Sequence, residues 1–257
     1  MHLWNNPSLW QWQQTDRGRY LTCSLLAKWP HGFFTSHFHG CHPRQLVQYL
    51  HPRAKVYYLK QIHSNILFTT TQIESSETQL EGDGIVTDSP LQSVWCASAD
   101  CTPVLIASPD TGKVMAIHSG WRGSAKEIVP KAISLMASLG CKKENLLFAL
   151  GPAIHGKIYQ VDENVALQVL KTVIKHTSSS SEILHIAYEN QLVYPDFSPG
   201  KVRLHVSAVI YQQIVQQGID SSQIAIAPYC TYQDSSDFFS YRRTGEKKVQ
   251  YSGIVSI

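Results

Sequence analysis

A chain of 257 residues is long enough for one large domain or two small ones, and 43% hydrophobic against 16% charged residues describes a globular protein with a substantial core. That balance excludes an intrinsically disordered chain, which needs the reverse. A formal charge of +3, with basic residues no denser than the pairs Lys142-Lys143, Arg242-Arg243 and Lys247-Lys248, speaks against nucleic acid as the main partner. No stretch approaches the roughly 20 apolar residues of a membrane helix, and the first twenty residues lack the apolar segment of a signal peptide. The expectation is a cytoplasmic protein with no membrane partner. Six cysteines, at 23, 41, 96, 101, 141 and 230, show neither a disulfide spacing nor a CxxC knuckle and read as buried thiols, with at most one or two in chemistry.

In chain order, "LWQWQQ" (9–14) alternates apolar and polar residues as a half-buried strand does. "KVYYLKQI" (55–62), "NILFTTTQI" (65–73), "SVWCASA" (93–99), "PVLIASP" (103–109) and "KVMAIHS" (113–119) are short and rich in β-branched or aromatic residues. A first helix follows Ser124, with Ile128, Val129, Ala132, Ile133, Met136 and Leu139 on one face and Gly140 as its stop. Pro130 predicts an irregular or kinked first turn. "NLLFALG" (145–151) is a further strand, and Asp162 caps a second helix carrying Val165, Val169, Leu170 and Val173. The serine run "HTSSSSEI" (176–183) reads as a surface loop. A third helix runs from about Val206 through Val209, Ile210 and Ile214 to Gly218, before the strand "QIAIAPY" (223–229). Interleaved strands and helices without a break predict a single α/β domain over 1–257, around a mixed sheet or two stacked sheets.

Three segments end an apolar run with a metal-ligating side chain: "LKQIHSN" with His63, "ASADCTPVLI" with Cys101 and "AIHSGWRG" with His118. Imidazole and thiolate are ligands zinc prefers, and three of them leave a fourth tetrahedral position open, as catalytic sites do. Gaps of 38 and 17 residues are too long to fix this geometry locally, so only the fold can assemble it. Each residue also has a plainer reading: Cys101 as a small buried hydrophobe, the histidines as satisfied strand ends. Asp100 is a candidate for orienting a ligand histidine or handling protons, and equally a turn cap. Arg122, in a glycine-bounded turn, offers a bidentate grip on phosphate or carboxylate, and equally a surface cation stacked on Trp121. "GPAIHG" (151–156), glycine at both ends, allows a ligand close to the backbone or forms a plain turn. Lys60 and Gln61 beside His63, and Arg242 or Arg243 in "DFFSYRR" (237–243), are candidate substrate contacts; the arginines are equally plausible as surface charge.

"KQIHSN", "EGDGIVTDSP", "ASADCTPVLIASPD", "AIHSGWRGSAKEIVPKAI", "LGPAIHGKIYQV" and "YCTYQDSSDFFSYRRTG" follow the order seen in the laccase-domain family, which the chain resembles over roughly residues 30–245. That family is known first as multicopper polyphenol oxidases, then as zinc-dependent purine nucleoside phosphorylases with adenosine deaminase activity, and includes peptidoglycan editing factors. The resemblance implies a layered α/β/β/α fold and a zinc held by His63, Cys101 and His118. It further implies phosphorolysis of adenosine, inosine and S-methyl-5′-thioadenosine, with phosphate as co-substrate, and deamination of adenosine. Asp100 and Arg122 are then the catalytic candidates, Arg122 as the cation that holds phosphate. The chain departs from the family in "HGFFTSHFHGCHP": Ser36 stands where Thr-Arg-x-Gly-Gly commonly brings an arginine. Ala153 and His155 stand where members commonly carry cysteines, and Gln160 follows Tyr159 in place of glutamate. If the missing arginine contacts phosphate, phosphorolysis is weakened here while the metal site survives. His37, His39, Cys41 and His42 crowd the changed segment as either a second metal cluster or a solvated loop.

Three competing functions remain at this level. A copper oxidase needs several histidines beyond one His₂Cys site, and only one His-x-His occurs, at 37–39. A metal-free hydrolase would use Cys101 as nucleophile with a histidine base. An editing hydrolase would act on a peptidoglycan precursor, through the metal or through Cys101.

Overall fold

The computed structural model describes residues 6–257; residues 1–5, part of the amino-terminal stretch and of the 1–257 domain bounds read above, lie outside the described residues. The first part of the chain forms β1 (Trp10–Gln14), β2 (Arg19–Cys23), β3 (His31–Phe34), α1 (Pro43–Leu46), β4 (Lys55–Tyr57), β5 (Leu67–Thr69), α2 (Thr70–Glu74) and β6 (Gly84–Val86). The middle forms β7 (Gln92–Ser98), β8 (Thr102–Ala107), β9 (Val114–Ser119), α3 (Trp121–Ala125), α4 (Ile128–Ser138), β10 (Leu147–Leu150), β11 (Gln160–Asp162) and α5 (Glu163–Leu170). The last part forms α6 (Ser180–Glu189), β12 (Val193–Pro195), β13 (Lys201–Leu204), α7 (Val206–Gln216), β14 (Ile224–Ile226), α8 (Tyr241–Thr244) and β15 (Gln250–Val255).

Two six-stranded sheets, ordered β1-β2-β3-β15-β7-β4 and β14-β10-β8-β9-β6-β5, stack face to face, and a three-stranded sheet β11-β13-β12 stands apart. Both large sheets mix parallel and antiparallel neighbours. The period-2 alternation of strand side chains sorts the core. On β8 and β9, Leu105, Ala107, Val114 and Ala116 face the first sheet, where they meet Leu21, Phe33, Val94 and Ile254. Their neighbours Val104, Ile106, Met115 and Ile117 face the other way, onto Ile128 and Val129 of α4, Val169 of α5 and Val209 of α7. Strands buried on both faces read as continuous apolar runs, which is why these were visible in the sequence. The outer face of the first sheet is covered thinly, by Phe38, Leu46 and Val47 against Phe34, Trp95 and Val255. The layers are therefore α/β/β/α, with one outer helical layer reduced to short turns.

Several local expectations shift. "NILFTTTQI" is a strand only to Thr69, whose hydroxyl accepts from Gln72 N (3.2 Å) while Gln72 Oε1 accepts from Thr69 N (2.8 Å), so the threonine run starts α2. "KVYYLKQI" leaves its strand after Tyr57. The serine run is half loop: Ser179 caps α6, which begins at Ser180. Asp162 occupies the cap position of α5 without capping it, because its carboxylate pairs with Lys201 Nζ (2.5 Å). The break expected near Pro130 falls earlier, at Lys126–Glu127, where Glu127 takes φ +55°. Pro130 itself sits in the first turn of α4, where the backbone N–H has no helical partner to lose. β15, central to the first sheet, was not foreseen: Ser252-Gly253 interrupts its apolar pattern. Gly253 is needed there, since a Cβ would lie 2.4 Å from the Trp95 indole.

Candidate functional site

The site forms where β8 begins and β9 ends, neighbours paired antiparallel with Pro103 opposite His118. Cys101 immediately precedes β8, after a turn in which Asp100 takes φ +97°, a conformation that favours glycine. His118 is the penultimate residue of β9 and is buried. His63 arrives on the exposed loop between β4 and β5, in the left-handed region at φ +57°. The ligating atoms of His63, Cys101 and His118 all lie within 4.8 Å of one another, and no other such group of three is found among the described residues. The two imidazoles meet edge to face, centroids 4.8 Å apart at 84°. Gly120 makes the approach possible, because a Cβ there would sit 2.5 Å from Cys101 Sγ.

A residue given no role from the sequence organises this group. Asp83, fully buried ahead of β6, accepts a hydrogen bond from His118 Nδ1 at 2.9 Å. That bond fixes the tautomer and leaves Nε2 facing the thiol. Burial pushes the Asp83 carboxyl up, but its bonds from His118 and Ser64 prevail and hold it at about 2. Burial likewise pushes the His118 imidazole down, and the Asp83 and Cys101 partners override it to about 9. Cys101 follows the same logic: burial raises the thiol, while His118 and His63 together draw it down to about 6. The only cue in the sequence was an aspartate between two glycines in "EGDGIVTDSP".

The group lies in the floor of a pocket of about 730 Å³, within the usual range for small-molecule sites. Trp121, Arg122, Tyr159, Arg242 and Lys247 line the same pocket. Arg122 belongs to the short helix α3 rather than a free turn, and its guanidinium stacks on Trp121 at 4.4 Å with no carboxylate partner among the described residues. Arg242 stacks on Tyr159 at 4.8 Å and donates to Gln160 O at 2.8 Å. Burial, with Cys101 adding to it, pushes the Tyr159 phenol up to about 12, so it stays a donor.

The other candidates are committed to other partners. Asp100 touches neither histidine; its carboxylate accepts from Thr231 Oγ1 and from Arg242 N, both at 2.7 Å, and so ties the pocket wall together. Gln61 lines the pocket, but its amide is spent pairing with Ala97 N and O. Lys60 pairs with Glu81 at 2.8 Å, away from the pocket lining. Arg243 turns its guanidinium to the carbonyls of Thr231, Tyr232 and Phe238, so it is a structural tie. Ser36 packs against the Ser236–Asp237 turn and does not line the pocket.

The crowded segment does not gather into a metal-ligating group. His37 lies between Arg19 N and Ser236 O, His39 packs on Phe239, and Cys41 is buried in the outer core. His42 caps α1 through Nδ1 and packs edge-on to Tyr58, and it reaches the pocket from the far side.

The model of the multi-copper polyphenol oxidoreductase laccase family matches residues 42–256. The chain belongs to that family. A purine nucleoside phosphorylase of Synechocystis sp. is 46% identical over 257 residues, covering 96% of this chain and 97% of that protein. One from Corynebacterium glutamicum is 30% identical over 202 residues, covering 78% and 74%. Among solved structures, YlmD from Geobacillus stearothermophilus superposes with a TM-score of 0.80 at 24% identity, covering 95% of this chain and 98% of that one. The hypothetical protein YfiH of Bacillus licheniformis gives 0.79 at 22%, covering 96% and 99%. These two likenesses establish the layered fold. Among the described residues, His63, Cys101 and His118 are the one group of three found that could hold a metal ion. No helix among the described residues is long and apolar enough to cross a membrane.

Proposed function

We propose that the protein is a zinc-dependent purine nucleoside phosphorylase whose ion is held by His63, Cys101 and His118. The observation that carries the reading is the convergence of two imidazoles and an acidified thiol on one point in the pocket floor. The name of the Synechocystis relative supplies the substrate class. The donor set fits zinc: a thiolate with two imidazoles matches its preference, and three protein ligands would leave a fourth position for water or substrate. When bound, the ion supplies Lewis acidity toward an oxygen of phosphate, water or substrate. We take the 1–257 chain to act as one unit, a reading supported within residues 6–257 by neighbouring core clusters that share the strands of the two sheets.

The rest of the chemistry falls to the chain. Arg122, uncommitted to any carboxylate, holds phosphate through its planar edge while its face rests on Trp121. Phosphate attacks the ribose C1′ as the C1′–N9 bond breaks, and the purine leaves with the proton that hydrogen phosphate gives up, so adenosine and inosine yield free base and ribose 1-phosphate and the 5′-methylthio substrate yields the corresponding 5-methylthioribose 1-phosphate. Tyr159, held protonated, offers a hydrogen bond within the same wall. Asp100 acts by holding Arg242 and Thr231 in place rather than by carrying protons. Adenosine, inosine and S-methyl-5′-thioadenosine are the proposed substrates, with hydrolytic loss of ammonia from C6 of adenosine as a second activity.

A second reading has its own observation: Cys101 drawn down beside a raised His118 is also the charge state of a cysteine nucleophile. That favours a metal-free hydrolase, with a peptidoglycan precursor as one substrate. Product identification from adenosine, with and without phosphate and with and without chelator, separates the two. The proposal expects adenine and ribose 1-phosphate only when phosphate is present, inosine in either case, and loss of both on chelation. Chelator-resistant hydrolysis would favour the cysteine mechanism, and no turnover of adenosine under any condition would overturn the nucleoside reading.

A further inference from the structure

Asp83 does more than orient His118. It stands just before β6, which pairs with β9 on one side and β5 on the other, so it lies between the strand that carries His118 and the segment that carries His63. Its backbone grips both: its carbonyl accepts from His118 N at 2.8 Å and its N–H donates to Ile66 O at 3.0 Å. Its carboxylate repeats the pattern. Oδ1 accepts from His118 Nδ1 at 2.9 Å and from His63 N at 3.0 Å, and Oδ2 accepts from Ser64 N at 2.6 Å and Ser64 Oγ at 2.7 Å. The side chain has no exposure to solvent, so no water competes for these donors.

The two histidines differ in what else holds them. His118 is anchored by β9 and would keep its place on the strand without Asp83. His63 is exposed, lies outside any strand, and takes a left-handed backbone conformation that is uncommon outside glycine. The wrapping of residues 63–64 around a single carboxylate is what stabilises that conformation, since consecutive N–H groups converge on it.

We propose that Asp83 is the positioning residue of this site: one buried carboxylate presents both histidines at once, fixing the ring of His118 and the backbone that delivers His63. The inference rests on the reading of His63, Cys101 and His118 as ligands of one ion. Asparagine at this position keeps the shape and fails the chemistry. Whichever way its amide turns, an NH₂ group faces either Ser64 N–H and Oγ–H or His118 Nδ1–H and His63 N–H, so one set of donors loses its acceptor.

The test measures Co²⁺ affinity by competition with a chromophoric chelator, the thiolate-to-cobalt absorption band, and thermal unfolding of the metal-free protein, for wild type, Asp83→Asn and Ser64→Ala. In Asp83→Asn the ion is held about 10–100-fold more weakly. The thiolate band persists at saturation because Cys101 is untouched, and kcat falls while the nucleoside KM stays within about threefold. Ser64→Ala removes one donor and leaves the His118 bond, so affinity falls only a few-fold; this variant carries the test if Asp83→Asn does not fold. A purely structural role would lower the metal-free melting temperature and leave affinity unchanged. Affinity of either variant equal to wild type would overturn the positioning role alone, whereas a wild type that takes up no ion would overturn the metal reading with it.

Discussion

Residues 31–42 place His31, His37, His39, Cys41 and His42 in one short segment, whereas His63, Cys101 and His118 come from three distant ones. The dense segment scatters its ligands and the sparse set gathers. Along 31–42 the backbone passes from β3 through a tight turn to the cap of α1, so successive side chains leave in different directions. His31 turns onto the backbone of Cys23 and Trp29, Cys41 into the outer core and His42 into the pocket. The three distant residues are brought together because β8 and β9 are adjacent and antiparallel, and because Asp83 holds the third segment against them. Proximity in sequence supplies ligand types; strand register and a buried counter-charge supply convergence.

The hardest way to break this contrast is to exchange one cysteine from each region. Cys101→Ala loses the ion and with it several kcal/mol of transition-state stabilisation, about a thousandfold in kcat/KM or more. Cys41→Ala retains ion and activity and gives up about 1 kcal/mol of stability. Metal analysis, kinetics and urea unfolding of the two variants in parallel check both halves.

His31 offers a pH test of the dense segment. Burial draws its imidazole down to about 4, although Trp29 O accepts from Nδ1 and opposes the shift. Nε2 accepts from Cys23 N at 2.8 Å, so the neutral ring is the one that fits. A depressed pKa means the unfolded state takes the proton first. The stability is therefore complete above the unfolded value of about 6.5 and declines toward pH 4, by about 3 kcal/mol in all. Asp83 and Asp88, each held at about 2, lose their contributions in a separate window below the ordinary carboxylate range. Denaturant unfolding from pH 7 to 4 should show a decline about 3 kcal/mol smaller in His31→Gln than in wild type, the remainder coming from other groups held low such as Cys101 and His155; parallel curves would remove this assignment.

Smaller changes sharpen the comparison further. Gly120→Ala drives a methyl against Cys101 Sγ and should weaken ion binding about tenfold, read by chelator competition. His42→Ala trims the far wall of the pocket and raises the nucleoside KM a few-fold with kcat nearly constant, since uniform binding is all it removes. His39→Ala, whose ring touches Phe239 outside the pocket, leaves ion content and kinetics unchanged.

The parts that were legible in the sequence are those where one physical demand dominates. β8 and β9 are apolar on both faces, with "ADC" placing a potential ligand just ahead of β8 and "AIHSG" placing one at the end of β9. The hidden parts depend on partners far along the chain. β15 is interrupted by Gly253, whose reason is the Trp95 ring pressed against it. Asp83 resembles any turn aspartate until donors from two other segments meet it, and Asp100, an equally plausible candidate, faces Thr231 and Arg242 instead. Arg242 and Arg243 are adjacent and chemically identical, yet one enters the pocket wall and the other is consumed by three carbonyls. Nothing local distinguishes them.

The most direct test is anomalous diffraction at the zinc absorption edge from crystals of the protein grown without added metal. The account predicts one strong peak per chain, enclosed by His63, Cys101 and His118 Nε2, and a second data set from Cys101→Ala without it. A peak among residues 37–42, or none at the three ligands in wild type, would contradict the account.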